Sequence, residues 1–274
     1  MEFGFLFWLF FCGIVVASMQ DLKRREVDNW LNLFLLVSSL VFVFYGAILR
    51  DELDIIFHVG FLLVIMFVIM NIFYYGRVFA GGDAKLLFAM TVFFLGASFY
   101  ESVINVGIFC LFLMVAGSVY GLCYSGVLWY LNRDKINAEM GRLVSEKRWL
   151  VGVVLLASVL MIFGVKNFIF FLIGVCLFIF PFLYVFAKGL ENVSMIREVS
   201  GFELREGDWL VEDVKVGRRV VKANWDGLSL DDIELLRKEK RVMIKEGLPF
   251  VPAFLIAFLG YVFLKGWFLG LFGI

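Results

Sequence analysis

Residues 3–25 read FGFLFWLFFCGIVVASMQDLKRR: eighteen uncharged residues, then Asp21, then Lys23, Arg24 and Arg25. Eighteen uncharged, mostly apolar residues reach the roughly 17–25 that a bilayer-spanning helix needs. An ionised carboxylate partitions poorly into hydrocarbon, so an acid at the edge of such a run is a functional candidate. A second acid stands in the same kind of place. Asp83 opens another uncharged stretch, in Ala80-Gly81-Gly82-Asp83-Ala84-Lys85-Leu86-Leu87.

Working outward from residues 3–20, further uncharged runs cover 29–49, 55–76, 86–100, 102–131, 149–165, 167–187 and 249–264. The run 102–131 would be about 45 Å long as a helix and must tilt or protrude. The segment 149–187 reads as two crossings or one re-entrant pair. The 274 residues are 62% hydrophobic with 34 Phe, and mean hydropathy is +0.94. A soluble domain of that length would expose much of this surface, so the expected fold is an all-α polytopic membrane protein. It should have about eight (six to eight) transmembrane helices and a small α+β cytoplasmic insertion before the last one. Expected boundaries are 1–187 for the transmembrane catalytic part, 188–248 for the insertion and 249–274 for the last helix.

The basic residues set an orientation. With the N-terminus outside and eight crossings, 22 of the 25 Lys and Arg fall inside, leaving Arg50, Lys166 and Lys265 outside; without the 12 in the long segment 188–248, which weighs little, the ratio is still 10 to 3. That asymmetry is the positive-inside pattern, and it places Asp21 and Asp83 together at the cytoplasmic face. The first run has only Glu2 before it and basic residues after it, which fits a retained span better than a cleaved leader.

The zero formal charge gives no argument for nucleic acid. A lone histidine, His58, weakens any His-ligated metal site or Ser-His-Asp catalysis and reads as a polar group satisfied locally. Cys12, Cys110, Cys123 and Cys176 stand singly in apolar runs and read as small apolar residues. Neither cofactor nor metal is expected.

Residues 188–248 carry 12 basic and 13 acidic residues. Ser229 followed by Asp232 reads as a capping box opening a helix to about Lys240. Arg219–Ala223 reads as a strand and Asp226-Gly227 as a turn. Pro249 and Pro252 mark the return to the membrane.

Each acid also has a plain structural reading. Gly81-Gly82 fits a tight turn with Asp83 as N-cap of a helix over 84–100. The same glycines would let a peptide approach the carboxylate closely. Asp21 fits an interfacial charge balanced by Lys23, Arg24 and Arg25. A carboxylate at the C-terminal end of a helix is opposed by the helix dipole, however, which favours a functional role. Lys85 fits a side chain snorkelling to the interface, or a cation serving Asp83 or a substrate. Glu26 and Asp28 read as solvated.

The Ala80-Gly81-Gly82-Asp83 segment resembles the GxGD motif of the type IV prepilin peptidases. Asp21-Leu22-Lys23-Arg24-Arg25-Glu26-Val27-Asp28-Asn29-Trp30-Leu31 resembles that family's first catalytic-aspartate segment. The stretch from Arg205-Glu206-Gly207-Asp208 through Lys245–Pro252 resembles the C-terminal region of its archaeal preflagellin and prepilin peptidases. Ala80 departs from the first motif glycine. The paired CxxC loop of bacterial relatives that also methylate their product is absent, which puts methyltransferase activity in doubt.

The resemblance implies an intramembrane aspartyl endopeptidase with Asp21 and Asp83 as catalytic acids, and Gly81, Gly82 and Lys85 as supporting motif residues. Its partners would be prepilin or preflagellin precursors and the lipid bilayer, at the cytoplasmic face of the plasma membrane. Three other readings remain: a presenilin-like or signal-peptide-peptidase-like protease, a transporter with boundary carboxylates, and a structural assembly factor. Asp21 lacks the Tyr-Asp context of the first. The spans hold few polar residues of the kind the second needs.

Overall fold

The computed structural model describes residues 2–217, 219–224 and 227–271. The chain divides into two compact units, Met1–Leu122 with Leu248–Ile274, and Cys123–Gly247.

The first unit contains α1 (Glu2–Arg24), α2 (Asn29–Arg50), α3 (Asp54–Tyr75), α4 (Gly81–Ala89), the first part of α5 (Phe99–Leu131) and, from the far end of the chain, α10 (Val251–Leu271). Arg25 and Asp51 adopt left-handed backbone, which ends α1 and α2 sharply and sends the chain back antiparallel. The core between these helices is apolar and aromatic: Phe10 lies 5.5 Å from Phe93, Phe93 4.8 Å from Phe258, and Phe94 4.9 Å from Phe109, centroid to centroid. The outward faces of the long helices stay apolar too, with Phe57, Phe61, Ile72 and Leu122 exposed. Surface of that kind suits lipid rather than water.

The chain is a multi-pass membrane protein. Among the described residues seven helices are long and apolar enough to cross a bilayer: α1, α2, α3, α5, α7, α8 and α10. The run 86–100 is not one continuous helix, as the expected helix over 84–100 required. Instead, α4 starts earlier, at Gly81, stops at Ala89, and gives way to a 3-10 turn over Thr91–Phe94. The hydroxyl of Thr91 bonds the Phe88 carbonyl. Thr91, Val92, Phe93 and Phe94 are all buried, an arrangement that one face of a surface helix could not provide.

Residues 81–98 nonetheless traverse the unit. Gly82 lies against Val27 at the α1–α2 turn. Gly96 donates to Ser102, which meets His58 near the α2–α3 turn at the opposite end. The broken segment reaches at most about 35 Å, matching the roughly 33 Å of a helix the length of α3. Seven helices and one broken crossing thus account for the eight apolar runs.

The second unit holds the rest of α5, α6 (Arg133–Glu146), α7 (Trp149–Phe163), α8 (Phe168–Ser194) and a small α+β part. Residues 149–187 form two helices packed side by side, with Gly174 of α8 close enough to α7 that a Cβ would lie 2.9 Å from Met161 N. Strands β1 (Ile196–Val199), β5 (Val242–Lys245) and β2 (Trp209–Leu210) make an antiparallel sheet in the order β1-β5-β2. A separate hairpin pairs β3 (Val214–Val216) with β4 (Arg219–Val221), within the expected strand 219–223.

The expected capping box is present: Asp232 N donates to Ser229 Oγ at 3.2 Å, and Ser229 N to Asp232 Oδ2 at 3.1 Å. Helix α9 (Leu230–Leu236) ends well before Lys240, however. The chain turns there, Glu239 N bonding Leu236 O and Glu239 O accepting from Gly201. Of the expected Asp226-Gly227 turn, Asp226 lies outside the described residues, while Gly227 has a φ of +80°.

Candidate active site

Asp21 sits on the last turn of α1, 6% exposed. Its Oδ2 accepts a hydrogen bond from the backbone N–H of Val251 at 2.9 Å. Val251 is the first residue of α10, and the opening N–H groups of a helix have no partner within it. Asp21 therefore serves as a cap supplied from 230 residues away. This answers the objection from the α1 dipole, because the positive end of α10 faces the carboxylate and offsets it.

Asp83 is 7% exposed and occupies the third position of α4. It is not the N-cap that the sequence suggests. Ala80 holds that position, and Asp83 Oδ2 accepts from Ala80 N at 3.3 Å, the reciprocal half of a capping box whose first residue has no acceptor. Helix α4 opens the broken crossing. Asp83 is buried, and the charge of Asp21 is felt at its carboxyl. The two acids are thus near enough to act on one another.

Neither Gly81 nor Gly82 takes a left-handed conformation, so the expected tight turn does not require them. They form the first turn of α4 and leave it bare of side chains. A Cβ on Gly82 would rest 3.5 Å from Val27 N, and one on Gly81 3.7 Å from a Tyr74 ring carbon, both ordinary contacts. The Lys85 ammonium goes to Asn29 Oδ1 at 2.8 Å, tying α4 to the start of α2.

Asp28, read as solvated, is instead the knot of the α1–α2 turn. It accepts from Gln20 Nε2 at 3.0 Å, Arg24 at 2.7 Å and Trp30 Nε1 at 3.1 Å. These bonds fix the geometry just beyond Asp21. His58 meets Ser102 Oγ at 2.9 Å, at the end of the unit away from the acids. Among the described residues the four cysteines are free, and no three His, Cys, Asp or Glu side chains gather into a metal-holding group.

Two buried acids from separate helices, each held by backbone N–H groups, lie near enough for the charge of one to act on the other. Residues 8–126, which contain both, match the family model for the type IV leader peptidases. The helical unit is type IV leader peptidase-like. A preflagellin peptidase from Methanococcus maripaludis is 28% identical over 78 residues, covering 28% of this chain. The match spans about a third of that relative, 34% of its length. No solved structure gives a significant match.

Proposed function

We propose that this chain is an aspartyl endopeptidase that removes the short leader of type IV prepilin-like or preflagellin precursors at the cytoplasmic boundary of the plasma membrane. The observation that carries the reading is the meeting of Asp21 and Asp83, buried and electrostatically coupled, at one end of the helical unit. The family match over 8–126 and the similarity to a preflagellin peptidase support it. The excess of basic residues assigned to that side of the membrane supports the cytoplasmic face.

The chemistry follows from two acids sharing one proton. Like charges this close ionise together only at a cost, so over a range of pH one acid is charged and the other neutral. The charged carboxylate takes a proton from a water as its oxygen attacks the scissile carbonyl. The neutral carboxyl donates its proton to the carbonyl oxygen. The tetrahedral intermediate then collapses: the C–N bond breaks, the amine leaves with a proton, and the pair again holds one. The pair, rather than either residue, owns the apparent pKa values.

The test is incubation of purified protein with a preflagellin-like precursor, the products being read by intact mass. The proposal expects one cut between the charged leader and the hydrophobic segment. Uncleaved precursor, or cuts scattered along the chain, would reject it.

A further inference from the structure

The apolar run at the start of α2 contains two asparagines, Asn29 and Asn32, three residues apart and so on one side of the helix. Asn29 accepts from Lys85 on α4, which turns Asn32 to the same side and one turn deeper. Asn32 is 5% exposed, and neither its Nδ2 nor its Oδ1 has a hydrogen-bond partner within the protein. Ser18, one turn before Asp21 on α1, is 6% exposed, and its Oγ is likewise without a partner.

Helix register puts these groups in one layer. A Cβ on Gly13 would run into Leu35, and one on Gly82 would touch Val27. With α1 antiparallel to α2, and α4 running alongside α2, both acids lie near the level of Val27. Ser18 and Asn32 then lie about 4–8 Å further inward, at 1.5 Å per residue.

A buried amide with both ends unused destabilises a fold unless something from outside the chain meets it. Cleavage of a hydrophobic helix supplies such a partner. Its scissile peptide must leave the helical hydrogen-bond ladder, and opening it frees N–H and C=O groups on the hydrophobic side of the bond, where lipid offers nothing to replace them. A side-chain amide carries both a donor and an acceptor, the complement of one peptide group, and a serine hydroxyl adds another.

We propose that Asn32, assisted by Ser18, is the main-chain subsite that holds the unwound substrate segment on the hydrophobic side of the cleaved bond. The proposal rests on the endopeptidase reading above. It makes the site tolerant of side-chain sequence there, because the groups recognised belong to the backbone.

The experiment compares purified full-length wild type, Asn32→Leu, Asn32→Gln, Ser18→Ala and Asp83→Asn on one preflagellin-like precursor. Processing kinetics and thermal midpoint are measured in the same detergent. Asn32→Leu should lower kcat/KM about tenfold, the worth of one lost hydrogen bond, with an equal or higher thermal midpoint. Asn32→Gln, which keeps the amide, should lose less, and Ser18→Ala should lose about threefold. The subsite is overturned if Asn32→Leu cleaves within about threefold of wild type. It is equally overturned if its loss accompanies a lower thermal midpoint, or if Leu and Gln lose alike. Wild type that leaves the precursor intact would instead remove the endopeptidase reading itself.

Discussion

The two ends of the helical unit treat buried polar groups in opposite ways. At the end away from the acids, Ser102 Oγ accepts from Gly96 N at 2.9 Å, meets His58 Nε2 at 2.9 Å and lies 3.1 Å from Ser98 O. Asn105 Nδ2 donates to Phe94 O at 3.1 Å, and Ala97 N to Glu101 Oε2 at 2.9 Å. These side chains take up the backbone groups that the broken crossing releases, leaving only Asn105 Oδ1 unused. At the acid end, Ser18 Oγ and both side-chain polar atoms of Asn32 are unused, and the carboxylates are held by backbone donors alone, from Val251 and Phe250 for Asp21 and from Ala80 for Asp83. A network that closes on itself holds a fold together. One that stops short is open to something else.

The comparison breaks most severely at Asp83. Asp83→Asn should reduce precursor processing by roughly a thousandfold or more, since one member of the acid–base pair is gone. Its thermal midpoint should hold or rise, because a buried acid has been replaced by a neutral amide; a midpoint that falls with the activity would place Asp83 with the structural groups instead. Asp21→Ala should also abolish processing and, unlike Asp21→Asn, should cost about 1–2 kcal/mol of stability through loss of the α10 cap. Chemical denaturation of the two variants side by side would reveal that difference.

The pH profile sharpens the same contrast. The active pair holds one proton. As pH rises the shared proton leaves, both acids become charged, and processing should decline. Well below the ordinary carboxylate range both acids are neutral, and processing should decline again. A rate that stays flat across pH 5–9 would contradict a shared proton. Ser102→Ala, at the opposite end, should leave the profile unmoved.

At that opposite end the signs reverse. Ser102→Ala strands Gly96 N and His58, so unfolding measurements should find a loss of about 1–3 kcal/mol with kcat nearly unchanged. A clear fall in kcat in still-folded protein would mean that the two ends are coupled. The smallest effect is expected for Asn29→Ala, which frees the exposed Lys85 ammonium and should shift stability by no more than about 0.5 kcal/mol.

The sequence made some of this plain and hid the rest for physical reasons. Hydropathy is a local property, so the apolar runs could be bounded by eye, and Asp21 and Asp83 stood out at their edges. The cap that Val251 offers Asp21 joins residues 230 positions apart, and no local pattern announces it. After the break at Ala89, Phe93 and Phe94 pack on Phe258 and Phe109, distant contacts that 86–100 does not betray when read alone. Asp28 looked like one more interfacial charge, because its partners Gln20 and Trp30 belong to two different helices. Asn32 carried a visible signal, a second amide three residues after Asn29 in a run without charge. What the sequence lacked was the fact that it is buried with nothing to bond.

The central claim is that Asp21 and Asp83 act as one catalytic pair. Its most direct test is processing of a preflagellin-like precursor by membranes containing wild type, Asp21→Asn or Asp83→Asn at matched levels of inserted protein. Wild type should cleave the precursor and neither variant should. Cleavage at the wild-type rate by either variant would contradict the claim, returning that aspartate to the capping role its backbone hydrogen bond already describes.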